Sequence, residues 1–104
     1  MDSLGDVFQA LSDPTRRKIL KLLKDRDMTA GEITEHFCIS KPSISHHLSI
    51  LKNAGLVDSE KKGQNIIYSF DATVFQELME WVYDFQKKGE QHEVIKESEI
   101  FTDR

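Results

Sequence analysis

The chain has 104 residues, 38% hydrophobic and 31% charged, a balance that fits one soluble globular domain and leaves little chain for a multi-domain enzyme or a deep substrate pocket. No apolar run approaches the ~18 residues that a membrane span needs, and the opening Met-Asp-Ser-Leu-Gly-Asp has neither the basic nor the apolar region of a secretory signal. The one cysteine, Cys38, excludes an internal disulfide, and a cytoplasmic location is expected. The formal net charge of −4 argues at first against a nucleic-acid partner, but the charge is unevenly spread. Residues 14–68 hold ten Lys/Arg against six Asp/Glu, whereas residues 69–104 hold four against nine. Such a split leaves one part of a small domain suited to an anionic partner.

In chain order, Leu4, Val7, Phe8 and Leu11 recur at helical spacing and predict a short opening amphipathic helix. Ser12-Asp13-Pro14 starts a second helix, with Asp13 as N-cap and Pro14 at the first helical position, where its missing N–H costs nothing. That helix turns Ile19, Leu20, Leu22 and Leu23 inward and ends in the charged segment Lys24–Asp27. Thr29 and Glu32 have the spacing of a capping box for a third helix, which buries Ala30, Ile33 and Phe37. Cys38-Ile39-Ser40 forms the connection to a fourth helix, capped by Ser40 and stopped near Gly55, with Ile44, Leu48 and Leu51 on its inner stripe. Leu56–Lys61 and Ile66–Phe70 read as a β-hairpin around Lys62-Gly63-Gln64-Asn65. Asp71 then caps a last helix with Val74, Leu78, Trp81, Val82 and Phe85 on one stripe and Phe75, Met79 and Tyr83 beside it. The fold expected is mainly α with a β-hairpin wing, in the order α-α-α-α-β-β-α. Residues 1–89 form the domain, and 90–104 an acidic, partly disordered tail.

A short helix, a tight turn and a second helix with a polar outer face make a helix-turn-helix, whose second helix enters a major groove N-terminus first. At ~100° per residue, Pro42, His46, Ser49 and Asn53 fall within about 50° of the direction opposite the Ile44–Leu48–Leu51 stripe, flanked by Ser43 and Ser45. Hydroxyl, imidazole and amide groups reach base edges and phosphates without repelling either, and there is no acid from 41 to 57. A solvated face is the alternative, but such a face more typically carries Glu/Lys pairs. Lys41 at the helix start opposes the macrodipole, and a phosphate there would draw on both the lysine and the free N–H groups. At the hairpin tip, Lys61, Lys62, Gln64 and Asn65 either follow a minor groove and its phosphates or form an ordinary soluble turn. Arg16 and Arg17 either touch backbone phosphates or serve as local partners of Asp13 or the hairpin. His47 falls at the core edge and reads as a partly buried structural histidine, and Cys38 as a small apolar filler.

The stretches Ser12-Asp13-Pro14-Thr15-Arg16-Arg17, Ser40-Lys41-Pro42-Ser43-Ile44-Ser45-His46-His47-Leu48, Leu51-Lys52-Asn53-Ala54-Gly55-Leu56-Val57 and Lys62-Gly63-Gln64 resemble the ArsR family of bacterial winged-helix repressors, nearest its SdpR-like autorepressor branch. The resemblance spans about residues 4–89. It implies a homodimer built on the first and last helices and a DNA-reading fourth helix, with Lys41, Ser45 and His46 at positions that contact DNA in the family. It also points to a departure. The family's third-helix metal site needs Cys-x-Cys where this chain has Thr29 and Gly31, and its last-helix ligands fall on Ala72, Val74, Phe85 and Lys88. No metal or other cofactor is therefore expected, and the four histidines lack partners at ligand spacing.

The last helix carries more apolar surface than one small core covers. A second subunit meeting Leu4, Val7, Phe8, Leu11, Leu78, Trp81, Val82 and Phe85 is the simplest cover, and a small-ligand pocket under the aromatics is the alternative. Two functions follow: a homodimeric repressor on a near-palindromic operator, with a possible regulatory protein partner, or a winged-helix protein-interaction module without DNA binding. Catalysis is rejected, because Ser43 and His47 lack an orienting acid and an oxyanion site.

Overall fold

The computed structural model describes residues 3–93, as five helices and three strands: α1 (Ser3–Leu11), α2 (Pro14–Asp25), β1 (Met28–Thr29), α3 (Ala30–Thr34), α4 (Lys41–Asn53), β2 (Val57–Lys62), β3 (Asn65–Phe70) and α5 (Ala72–Glu93). The helix starts follow the caps. Asp13 accepts from the Arg16 N–H at 3.1 Å, Ser40 accepts from the Ser43 N–H at 3.3 Å, and Thr29 and Glu32 complete both halves of the capping box. At the end of α4, Gly55 N–H donates to the Lys52 carbonyl and Leu56 N–H to the Leu51 carbonyl, both at 3.0 Å. That is a Schellman closure, with Gly55 at the left-handed position (φ 81°).

The hairpin pairs Val57 with Phe70 and Lys62 with Asn65, so its turn is the two residues Gly63-Gln64 and each strand runs one residue further toward the tip than the periodicity implies. Gly63 supplies the positive φ (62°) that a two-residue hairpin turn requires. The sheet also gains a strand that hydrophobic periodicity does not show. Met28 pairs with Tyr68 and Thr29 with Ile67, giving an antiparallel sheet in the order β1-β3-β2. Helix α3 stops at Thr34, so the turn of the helix-turn-helix is longer than Cys38-Ile39-Ser40 alone. Cys38 is exposed in that turn, which corrects its assignment as an apolar filler. The expected boundary at residue 89 falls inside α5, which continues to Glu93, and the tail from 94 onward lies outside the described residues.

One core holds these elements together: Val7 and Ala10 from α1, Ile19, Leu20 and Leu23 from α2, Met28, Ile33, Ile44, Leu48 and Leu51, then Leu56, Val57 and Leu78. Leu22, Phe37, Tyr68, Phe70, Val74 and Phe75 pack against it, with Phe70 and Phe75 edge to face at 5.9 Å between ring centres. Asp71 starts α5 by accepting from the Thr73 N–H at 2.9 Å, and that bond holds its carboxyl below the usual aspartate range. Asp58 opposite, pushed up first by desolvation and then by its hydrogen bond and charge contact with Asp71, is the more easily protonated of the two.

Removing the Asp13 cap is expected to cost about 1 kcal/mol in Asp13→Ala, with Asp13→Asn close to the parent, because an amide oxygen caps as well. Partial desolvation raises the Asp13 carboxyl, but the Arg16 N–H bond and, at the acid pH where it titrates, the charge on His47 outweigh it, leaving the group below its ordinary 3.8. A depressed folded value contributes stability that is present above the unfolded value and lost as pH falls through the folded one. Urea melts at pH 7 and pH 3 should therefore show the gap between parent and Asp13→Ala narrowing in acid. A gap that widens in acid would contradict this sign.

Candidate nucleic-acid interface

Helix α4 is held from one side only. Ile44, Leu48 and Leu51 are fully buried, the opposite side exposes Pro42, His46, Ser49 and Asn53, and Lys41, Ser43, Ser45 and Lys52 are exposed on the flanks. The buried stripe fixes the rotation of the helix about its axis, because turning the polar side inward would bury serine, histidine and lysine without partners. At its N-terminus, Ser43 is partly engaged: its hydroxyl accepts from the Ser40 hydroxyl at 3.1 Å. Lys41, Ser45, His46 and Ser49 carry exposed polar groups on the same helix.

Neighbouring elements brace this helix. Lys18 on α2 donates to the His36 carbonyl at 3.1 Å and lies 4.7 Å from the centre of the Phe37 ring, tying α2 to the turn that precedes α4. Lys52 donates to the Ser59 hydroxyl at 2.6 Å, joining the end of α4 to β2. At the tip of the hairpin, Lys61, Lys62, Gln64 and Asn65 are all exposed, next to an exposed aliphatic residue, Ile66.

The two arginines part company. Arg17 is exposed and uses one N–H on the Leu11 carbonyl at 2.8 Å. Arg16 is only 9% exposed, and its guanidinium is taken up by the Ala10 and Gln9 carbonyls and the His47 ring. Of the two readings open for Arg16, this placement favours the local partner over the phosphate contact: the side chain points into the protomer, toward the terminal carbonyls of α1 rather than the hairpin. The signal for this was in the sequence, since α1 has no basic residue of its own in its last turn. His47 is half-buried at the core edge, as its position on the helix implies.

The apolar face expected to meet a second subunit is likewise narrower than the periodicity implies. Val7 and Leu78 are buried in the protomer's own core, and Leu4 and Leu11 pack against it half-buried. Phe8, Trp81, Val82 and Phe85 stay 43–68% exposed, with Trp81 5.5 Å from Phe8 and 4.8 Å from Phe85 between ring centres. Among the described residues, no helix is long and apolar enough to cross a membrane.

Comparison with known proteins agrees with this arrangement. Residues 13–59, from the α2 cap to the middle of β2, match the profile of the bacterial regulatory protein, arsR family. The transcriptional repressor SdpR of Bacillus subtilis (strain 168) is 59% identical over 87 residues, spanning 84% of this chain and 97% of that protein. A probable mercury resistance operon repressor of Streptomyces lividans is 40% identical over 68 residues, 65% of this chain and 54% of that one. Among solved structures, an ArsR-like transcriptional regulator from Rhodococcus sp. RHA1 superposes with a TM-score of 0.81 at 30% identity, covering 86% of this chain and 83% of the other. These relatives are transcription regulators rather than enzymes. With a winged helix-turn-helix built on the expected stripe, and a relative matched over nearly its whole length, the chain belongs to the ArsR family of bacterial regulatory proteins.

Proposed function

We propose that this protein is a DNA-binding transcriptional repressor that acts as a homodimer on a near-palindromic operator, including one upstream of its own gene. The observation that carries this reading is the α4 surface: Lys41, Ser45, His46 and Ser49 exposed on a helix locked to the core by Ile44, Leu48 and Leu51. Two such helices, their centres about 34 Å apart, would enter successive major grooves. Lys41, Pro42, Ser43, Ser45, His46 and Ser49 would lie along the groove, Arg17 on phosphate, and Lys61, Lys62, Gln64 and Asn65 along the wing's track. Phe8, Trp81, Val82 and Phe85 would meet their copies across the two-fold axis.

The signal is a protein partner or the protein's own concentration rather than a metal ion. Thr29, Gly31, Ala72, Val74, Phe85 and Lys88 stand where the family's metal ligands would be, and none supplies a thiolate, imidazole or carboxylate. The site of action is the cytoplasm, where the DNA is.

Fluorescence anisotropy with the DNA upstream of the protein's own gene, against a scrambled duplex, tests this. Preference for the native duplex, a log–log salt slope of about −0.9 per phosphate neutralised and indifference to a chelator are expected. The Ser45→Ala/His46→Ala pair should lose about ten- to a hundredfold in specific affinity with an unchanged circular dichroism melt. Unchanged affinity in that pair would remove α4 as the reader, and a chelator-dependent affinity would overturn metal independence.

A further inference from the structure

Arg16 is a buried cation whose three recorded side-chain partners are all neutral. Nε donates to the Ala10 carbonyl at 2.7 Å, Nη2 to the Gln9 carbonyl at 3.1 Å, and Nη1 lies 3.1 Å from His47 Nδ1. A guanidinium has only donors and keeps its proton, so Nδ1 of His47 is the acceptor and the ring proton sits on Nε2. The two carbonyls are at the C-terminal end of α1, where the helix dipole is negative and favours a cation. One side chain on α2 thus ties the end of α1 to the middle of α4. Arg16 also lines a cleft of about 270 Å³, together with Asp6, Gln9, Ile50, Asn53 and Ala54. Where α1 and α4 leave that space between them, side-chain packing is incomplete, and the polar contact carries more of the orientation.

The positions of the neighbours give this contact a functional direction. Gln9, whose carbonyl Arg16 holds, follows Phe8, which packs edge to face on Trp81 in the exposed aromatic face. His47, at the other end, follows Ser45 and His46 on the reading surface. We propose that the Arg16–His47 contact is a positioning strap that sets the reading helix α4 against α1, and hence against the dimer axis, so that the pair governs specific DNA affinity without touching DNA. This rests on the proposed reading of α4 as the DNA reader. His47 is a positioning residue, and its working form is the neutral ring with Nδ1 free to accept.

Replacing Arg16 would leave the buried Ala10 carbonyl without its donor and risk the fold, so His47 is the residue to change. In His47→Leu the acceptor is lost at similar bulk. In His47→Asn the amide oxygen occupies nearly the place of Nδ1 and still accepts from Arg16. Affinity for the preferred duplex should fall about tenfold in His47→Leu, the factor matching one charge-assisted hydrogen bond. Scrambled-duplex affinity and salt slope should stay unchanged, and His47→Asn should remain within about twofold of the parent. A merely structural histidine would lower both affinities and the melting temperature together. The proposal is overturned if His47→Leu binds like the parent, or if His47→Asn falls as far. Imidazole nitrogen NMR of the parent at pH 7.5 reads the strap independently of DNA, since Nδ1 must appear as the unprotonated nitrogen, and a protonated Nδ1 overturns it. If the parent prefers no duplex while Nδ1 is unprotonated, the reading of α4 has failed and takes the positioning role with it, while the strap itself stands as a structural contact.

Discussion

On the proposed homodimer, the protein with Trp81→Glu and Phe85→Glu together is expected to sediment as a folded monomer at concentrations where the parent is expected to dimerise, and to lose operator binding. Both rings are more than 40% exposed in the protomer, so changing them removes little of its own core. In a two-fold interface each appears twice, which places four aromatic side chains at one contact. Buried aromatic anchors are commonly worth about 2 kcal/mol each and are not additive, so at least a thousandfold weaker dimer, roughly, is expected. The new carboxylates would also face their copies across the axis, and like charges there disfavour association further. A single reading helix contacts one half-site, so specific DNA affinity should fall together with dimerisation. Analytical ultracentrifugation and anisotropy on the same samples check both. A variant that remains dimeric would move the interface elsewhere, and a monomer that binds operator like the parent would sink the two-helix mode.

Much of this fold can be read locally, because its starts and stops are chemical. Asp13, Thr29 with Glu32, Ser40 and Gly55 each satisfy backbone groups within four residues, so the sequence around each names the boundary. The α4 surface is legible for a related reason: Ile44, Leu48 and Leu51 point one way, and everything opposite must be exposed. What escapes a local reading is set by distant partners. Strand β1 is two residues long and exists because β3 has an edge to offer, forty residues away in the chain. Periodicity puts Val7, Phe8, Leu78 and Trp81 on apolar stripes but does not say where the protomer's own core ends, and that limit separates the buried pair from the exposed pair. The sequence leaves Arg16 open between phosphate and a local partner, since a charged side chain is rarely buried unless partnered and its partners come from α1 and α4.

Gly55→Ala and Gly63→Ala should differ severalfold in cost although both glycines have positive φ. At Gly63, φ is 62° and a Cβ would meet nothing within 4 Å, so only the conformational term applies, about 1 kcal/mol. At Gly55, φ is 81° and a Cβ would stand 2.8 Å from Val74 Cγ2, well inside contact distance. Overpacking of that kind adds about 1–3 kcal/mol to the conformational term. For a domain of this size the melting point should then drop by roughly 5 °C in Gly63→Ala and by roughly 10–20 °C in Gly55→Ala. Val74 lies in the first turn of α5, the helix that carries Trp81 and Phe85, so relief of the clash by moving α5 would disturb the aromatic face as well. Removing the obstructing methyls separates the two contributions: Val74→Ala costs packing alone in the parent but should recover stability in the Gly55→Ala background. A double-mutant cycle with a favourable coupling of about 1 kcal/mol or more supports the steric account. Simple additivity would mean that the left-handed backbone alone makes glycine necessary at the end of the reading helix.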